Sequence, residues 1–250
     1  MMSRDVTALE QADAMRRDFV ANVSHEIRTP LTVLAGFVET MQFLPLDDAD
    51  RQRYLGLMSQ QAQRMQSLVD DLLTLSRLEG SPPPGMDEWV EVRQIMEHCT
   101  QEGRSLSAVM SPQGHALTAL MGQDSAVAGS RSELFSAAVN LVNNAVRYTP
   151  AGGNIQLLWR ILEDGQGEFS VTDSGPGIAP EHLPRITERF YRVDRSRSRE
   201  TGGTGLGLAI VKHVAQRHGA QLRIDSSPGK GSTFAILIPA SRMRAASAPA

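Results

Sequence analysis

The stretch "FVANVSHEIRTPLT" (residues 19–32) sets His25 beside Glu26 and places Pro30 four residues after the glutamate. Imidazole is the side chain that exchanges a proton most readily near neutrality. A neighbouring carboxylate can orient it or accept its proton, leaving the other ring nitrogen with a lone pair free for nucleophilic attack. Apolar residues Met15, Phe19, Val23 and Ile27 recur every fourth position, as on one face of a helix. At about 100° per residue His25 lies roughly 180° from the mean direction of Val23 and Ile27, so the spacing predicts an imidazole facing solvent. Alone, such a histidine reads as an ordinary surface residue; Glu26 and Pro30 change that. Pro30 removes one backbone hydrogen bond and is expected to bend the helix just past the site.

Four later segments suit an anionic ligand. In "NLVNNAVRYTP", Asn140 and Asn144 stand one helical turn apart, with Arg147 and Tyr148 close behind. Amides on that face can hold Mg2+ and phosphate oxygens without adding charge. "TDSGPGI" puts Asp173 at the end of an apolar run, before Gly175 and Gly177, which let backbone approach a flat ligand such as adenine. "GGTGLGLAIVKHV" sets Gly202, Gly203, Gly205, Leu206 and Gly207 directly ahead of a helix, where free N–H groups and the helix dipole favour phosphate. "SSPGKGSTFAILI" places Gly229, Gly231 and Thr233 before a strand. Singly, these read equally as a polar helix stripe, a plain turn, a loop that is neither a Rossmann fingerprint nor a Walker loop, and a hairpin.

The elements that must position them fall into two groups. Residues 9–44 form one long helix. After "LPLDDADRQ", where Asp47 or Asp50 can cap a new start, Tyr54, Met58, Gln61, Met65, Leu68, Leu72 and Leu75 alternate steps of four and three along a second. Each helix of this hairpin carries more apolar surface than one partner covers, which predicts a homodimer closing a four-helix bundle. "EGSPPPGMD" (79–87) ends the pattern with a proline-rich linker. Downstream, strand-like runs alternate with helices near 92–102, 131–148 and 205–218, an α/β sandwich. The expected layout is an upstream end or linker (1–8), a hairpin domain (9–80), a linker (81–86), a sandwich (87–240) and a frayed tail (241–250).

The 250 residues carry a net charge of −3, 41% hydrophobic content and a single cysteine, Cys99. With no basic excess, nucleic acid is not an expected partner. The lone thiol fits a reducing compartment and reads as core filler. No apolar run is long enough to span a bilayer, so any membrane attachment is expected to come through segments outside this chain, which itself would be cytoplasmic.

"FVANVSHEIRTPLT" closely resembles the phosphoacceptor box of sensor histidine kinases. The four later segments, in order, resemble the asparagine and glycine boxes of the Bergerat-type ATPase fold. That fold is shared by histidine kinases, a heat-shock chaperone family, type II topoisomerases and a mismatch-repair ATPase. "ITERFYRVDRSRSRETGG" is similar to the kinase phenylalanine box and nucleotide lid, with Phe190 its aromatic and Arg192 and Arg195 as triphosphate contacts. The resemblance covers roughly residues 10–240. It implies that His25 is phosphorylated from Mg-ATP with Glu26 as base, and that Asp173 accepts from the adenine amine. It further implies transfer to an aspartate of a response regulator, with Thr29 positioning water when the regulator is dephosphorylated. Ser130, Arg147 and Thr187 depart from the family's usual aspartate, lysine and phenylalanine. "RDVT" (4–7) and the phosphoacceptor box together resemble the phosphate-regulon sensor kinases, whose parent proteins sit in the bacterial inner membrane. Two rivals stay open: an ATP-driven conformational clamp and a dimeric scaffold without turnover. Asn140 stands where clamp relatives carry a water-activating glutamate, which disfavours the first.

Overall fold

A computed structural model describes residues 3–111, 113–193 and 203–246, without the side chains of 3–16 and 18. Arg195, Gly202 and the side chain of Met15 therefore lie outside the described residues. Contacts divide the chain into two units, Met1–Asp70 and Asp71–Ala250.

α1 (Ser3–Phe43) and α2 (Asp48–Gly80) form the expected hairpin, the last turns of α2 from Asp71 on counting with the second unit. Asp47 rather than Asp50 caps α2, its Oδ1 accepting from the Asp50 N–H at 2.7 Å. The α2 seam is real: Tyr54, Met58, Gln61, Met65, Leu68, Leu72 and Leu75 are all partly or fully buried, and the Tyr54 ring lies tilted against Phe37 of α1 with centroids 5.5 Å apart. α1 begins at Ser3, so "RDVT" is helical, and it runs unbroken through Pro30, which is buried.

The second unit has two layers. A five-stranded sheet runs β2–β4–β5–β7–β6, built from β2 (Ala116–Met121), β4 (Asn154–Ile161), β5 (Gly167–Asp173), β6 (Gln221–Ser226) and β7 (Ser232–Ile238). The β2–β4 pair is parallel and the others antiparallel. α3 (Val92–Met110), α4 (Arg131–Tyr148) and α5 (Gly207–Arg217) cover one face. Alternate residues Trp159, Phe169 and Ile236 meet Ile95, Ala138 and Val214 of the helices around a small apolar cavity. On the opposite face nearly buried Glu168 takes Arg160 and Arg223 at 3.0 and 2.9 Å.

A second sheet, β1–β3–β8, joins Trp89–Glu91, Ser125–Ala128 and Met243–Ala245. Here the structure corrects the sequence reading of a frayed tail. Residues 243–245 pair with β3, and Arg242 donates to the Pro84, Gly85 and Ala128 carbonyls. The short polar segment is fixed by backbone pairing, which leaves no hydrophobic signature. Three other short strands, β1, β2 and β3, also lack a periodic signal in the sequence.

Candidate phosphoacceptor and nucleotide site

The first unit presents His25. It is exposed on α1 while Val23, Glu26 and Ile27 are half-buried and Pro30 is buried, the arrangement the helical spacing predicts. Pro30 has no N–H to give the Glu26 carbonyl. The hydroxyls of Ser24 and Thr29 donate back to the Val20 and His25 carbonyls at 2.8 and 3.2 Å. Thr29 thus sits one turn after His25, exposed on the same side. Glu26 faces Arg64 of α2 at 3.6 Å, an ion pair that sequence reasoning missed because it joins positions across the hairpin.

In the second unit α4 gathers the later segments. Ser130 caps it, its hydroxyl accepting from the Glu133 N–H, although at 3.5 Å. Asn140 donates its amide N–H to the Ser136 carbonyl at 2.9 Å, and a Cβ on Gly207 would lie 2.6 Å from the Asn140 Oδ1. A larger residue there would displace the Asn140 amide from its present position. Asn144 and Arg147 follow, half-buried. Burial pushes the Arg147 guanidinium down from its usual range, offset in part by Tyr148 and Asp71. The partly exposed Tyr148 lies near both glycine segments. A Cβ on Gly203 would lie 3.9 Å from its hydroxyl, and one on Gly175 would lie 2.9 Å from its carbonyl.

Asp173 ends β5 beneath this edge and is 6% exposed. Its Oδ1 accepts from the Gly175 N–H at 2.8 Å. Burial raises the Asp173 pKa, opposed by the N–H groups of Gly175 and Ser232. Gly177, at φ 70°, would drive a side chain into the Ser227 carbonyl, and the Gly229 N–H donates to the Pro176 carbonyl at 2.7 Å. The adenine and last glycine segments are therefore stitched together. Phe190 takes a left-handed φ of 62°, and its N–H donates to the Gly205 carbonyl at 2.8 Å. Leu206 is fully buried ahead of α5.

One expected residue is not brought to this edge. Thr233 pairs with Thr172, their hydroxyls 3.0 Å apart, whereas Asp173 pairs with Ser232. Successive strand residues point to opposite faces, so Thr233 lies across the sheet from Asp173 and Ser232 takes its place. Ser232, nearly buried, shares a hydrogen bond with Ser226 at 2.9 Å. The signal was in the sequence: Ser232 shares its period with Phe234, Ile236 and Ile238, which face the core.

Among the described residues no group of three His, Cys, Asp or Glu side chains forms a metal cluster. A cation beside Asn140 and Asn144 would be held by neutral amide oxygen and by phosphate oxygens, which fits Mg2+ bound together with a nucleotide.

Comparison with known proteins agrees with both halves of this geometry. Residues 15–81 match the model of the His Kinase A (phospho-acceptor) domain. Residues 129–242 match the histidine kinase-, DNA gyrase B- and HSP90-like ATPase model. The chain belongs to the histidine kinases. It is 51% identical to the phosphate regulon sensor protein PhoR of Pseudomonas aeruginosa, over 94% of this chain and 52% of the relative. The chain thus spans about half the length of the curated relatives it matches. Full-length ShkA, solved in complex with AMPPNP, is 26% identical with a TM-score of 0.64, covering 93% of this chain and 47% of that one. The histidine kinase ThkA, solved in complex with the response regulator protein TrrA, shares the fold. Its TM-score is 0.71 at 21% identity, covering 92% of this chain and 63% of that one. As in its relatives, the histidine kinase core here joins a phosphoacceptor hairpin to an ATP-binding α/β sandwich.

Proposed function

We propose that this chain is the catalytic core of a two-component sensor kinase that transfers the γ-phosphoryl group of ATP to His25 and then to an aspartate of a response regulator. One observation carries the reading. An exposed histidine beside a tethered carboxylate occurs in the same chain as an Asn140–Asp173–Gly207 edge shaped for a nucleotide. Glu26 takes or orients the proton on one imidazole nitrogen. The other nitrogen attacks the γ-phosphorus as its bond to the bridging oxygen breaks and ADP leaves. Mg2+, held by Asn144 and Asn140, would neutralise phosphate charge. Asp173 accepts from the adenine amine, supported by Ser232, while Arg147, Tyr148, Phe190, Gly203, Gly205 and Leu206 frame the phosphate side. Thr29 sits where it can position water for the opposing activity, hydrolysis of the regulator's aspartyl phosphate to free phosphate.

Two apolar stripes support a homodimer. Val20, Leu31 and Val38 share one face of α1, and Leu55 and Val69 share one face of α2, all at least 38% exposed. The response-regulator partner is proposed from the ThkA–TrrA complex, and an inner-membrane parent from the likeness to PhoR. The test is incubation with γ-labelled ATP and Mg2+, comparing wild type with His25→Gln. Acid-labile, alkali-stable label present only in wild type is expected. Nucleotide hydrolysed without protein labelling would contradict the reading and favour a clamp ATPase.

A further inference from the structure

The last turns of α2, from Asp71 on, belong to the second unit and are tied down within it at successive points. Asp71 Oδ2 accepts from the Thr204 hydroxyl at 2.6 Å, and Thr204 Oγ1 in turn accepts from the Leu206 N–H at 3.2 Å. Two turns further on, Glu79 pairs with Arg189 and lies 3.8 Å from His213 Nε2. Arg217, anchored on Glu133 at 2.8 Å, then donates to the Leu78, Ser81 and Pro82 carbonyls at 2.7–2.8 Å. The proline-rich segment that reads as a semi-rigid linker is held by its carbonyls, with Arg242 fixing Pro84 and Gly85 beyond it.

The upper end of this strap is a carboxylate placed among groups assigned to phosphate. Thr204 lies inside the glycine loop, between Gly203 and Gly205, and its hydroxyl bonds Asp71. Arg147, singled out from sequence as a phosphate contact, is stabilised in its charged form by Asp71. A triphosphate brings several negative charges to the same loop and the same guanidinium. Two anions competing for one set of donors exclude each other, or at the least each weakens the other.

We propose that Asp71 is an internal competitor of the nucleotide, so that ATP binding and docking of residues 71–80 on the glycine loop oppose one another. Linkage makes the effect reciprocal: the factor by which the docked strap weakens nucleotide binding is the factor by which bound nucleotide weakens docking of the strap. This rests on the nucleotide reading above and adds regulation of that site by the end of α2.

The test measures AMPPNP–Mg2+ affinity of the whole chain in wild type, Asp71→Asn and Asp71→Ala. Asp71→Asn keeps the size and the acceptor oxygen while removing the charge. Both variants are expected to bind at least about fivefold more tightly than wild type, a typical lower bound for coupled sites. Unchanged or weaker binding in Asp71→Asn would overturn the proposal and make Asp71 a support of the loop. Absence of AMPPNP binding in wild type would instead bring down the nucleotide reading, and the proposal with it. Hydrogen exchange on the wild-type chain gives an independent readout that needs no variant. Saturating AMPPNP should accelerate exchange of the 71–80 amides, and slowed or unaltered exchange there contradicts the competition.

Discussion

The two units of this histidine kinase treat their large apolar side chains in opposite ways. In the nucleotide unit Leu141, Val142, Ile155, Leu157, Trp159 and Ile210 are at most 1% exposed. In the hairpin Val20 and Leu31 are more than half exposed, and Leu55 and Val69 exceed 40%. A sheet with three helices on one face closes its core within one chain, whereas two helices enclose only a seam. The chemistry divides along the same line. The closed unit holds Asp173 and Asn140 by hydrogen bonds to neighbouring backbone, and the open one leaves His25 exposed on a helix.

Equal-sized changes in the two units should therefore fail differently. Leu141→Ala, at a fully buried position, is expected to destabilise the nucleotide unit by about 2–5 kcal/mol. Denaturant titration should show that loss at every protein concentration. A loss under 1 kcal/mol would mean that the core is looser than its burial indicates. Leu31→Asp should leave the helices formed but weaken self-association by roughly 100-fold or more, the effect of placing a charge in an apolar interface. Sedimentation equilibrium reads this directly, and an unchanged association constant would remove the α1 stripe from the interface.

The smallest effect concerns pH. His218, 1% exposed, accepts from the Ser130 N–H through Nε2 and sits 2.8 Å from the Val214 carbonyl through Nδ1. Both bonds are satisfied only by neutral imidazole. Burial lowers its pKa below the ordinary value of 6.5, against the pull of the Val214 carbonyl and Glu133 and with smaller pushes from Arg242 and Arg217. The unfolded chain then takes up a proton at a higher pH than the folded one. Stability tied to His218 is complete above about pH 6.5 and declines as pH falls below it. His213, also lowered by burial, acts in the same direction. Melting temperature of the nucleotide unit should fall between pH 7.5 and 5.5, and His218→Gln should flatten that slope. Parallel slopes in the two proteins would assign the acid sensitivity elsewhere.

The hairpin was legible because long helices repeat one simple period, and the α2 seam lies where steps of four and three put it. The glycine segments were legible because backbone approach admits few residues: Gly177 against the Ser227 carbonyl and Gly231 against the Asp173 carbonyl leave no room for a Cβ. What escaped was fixed by pairing across distant sequence. Ser232 rather than Thr233 faces Asp173 because strand register decides it. Arg64 and Asp71 find their partners only through tertiary contact, and the tail strand Met243–Ala245 exists because β3 offers an edge.

The central claim is that the exposed histidine of the open unit receives what the closed unit binds. The most direct measurement locates the phosphoryl group by mass spectrometry of peptides prepared at neutral pH after exposure of the wild-type chain to ATP and Mg2+. The account predicts a single phosphorylated position, His25, with Ser24 and Thr29 on the same helix unmodified. Phosphate on either hydroxyl, or on a residue of the nucleotide unit with His25 bare, would contradict it.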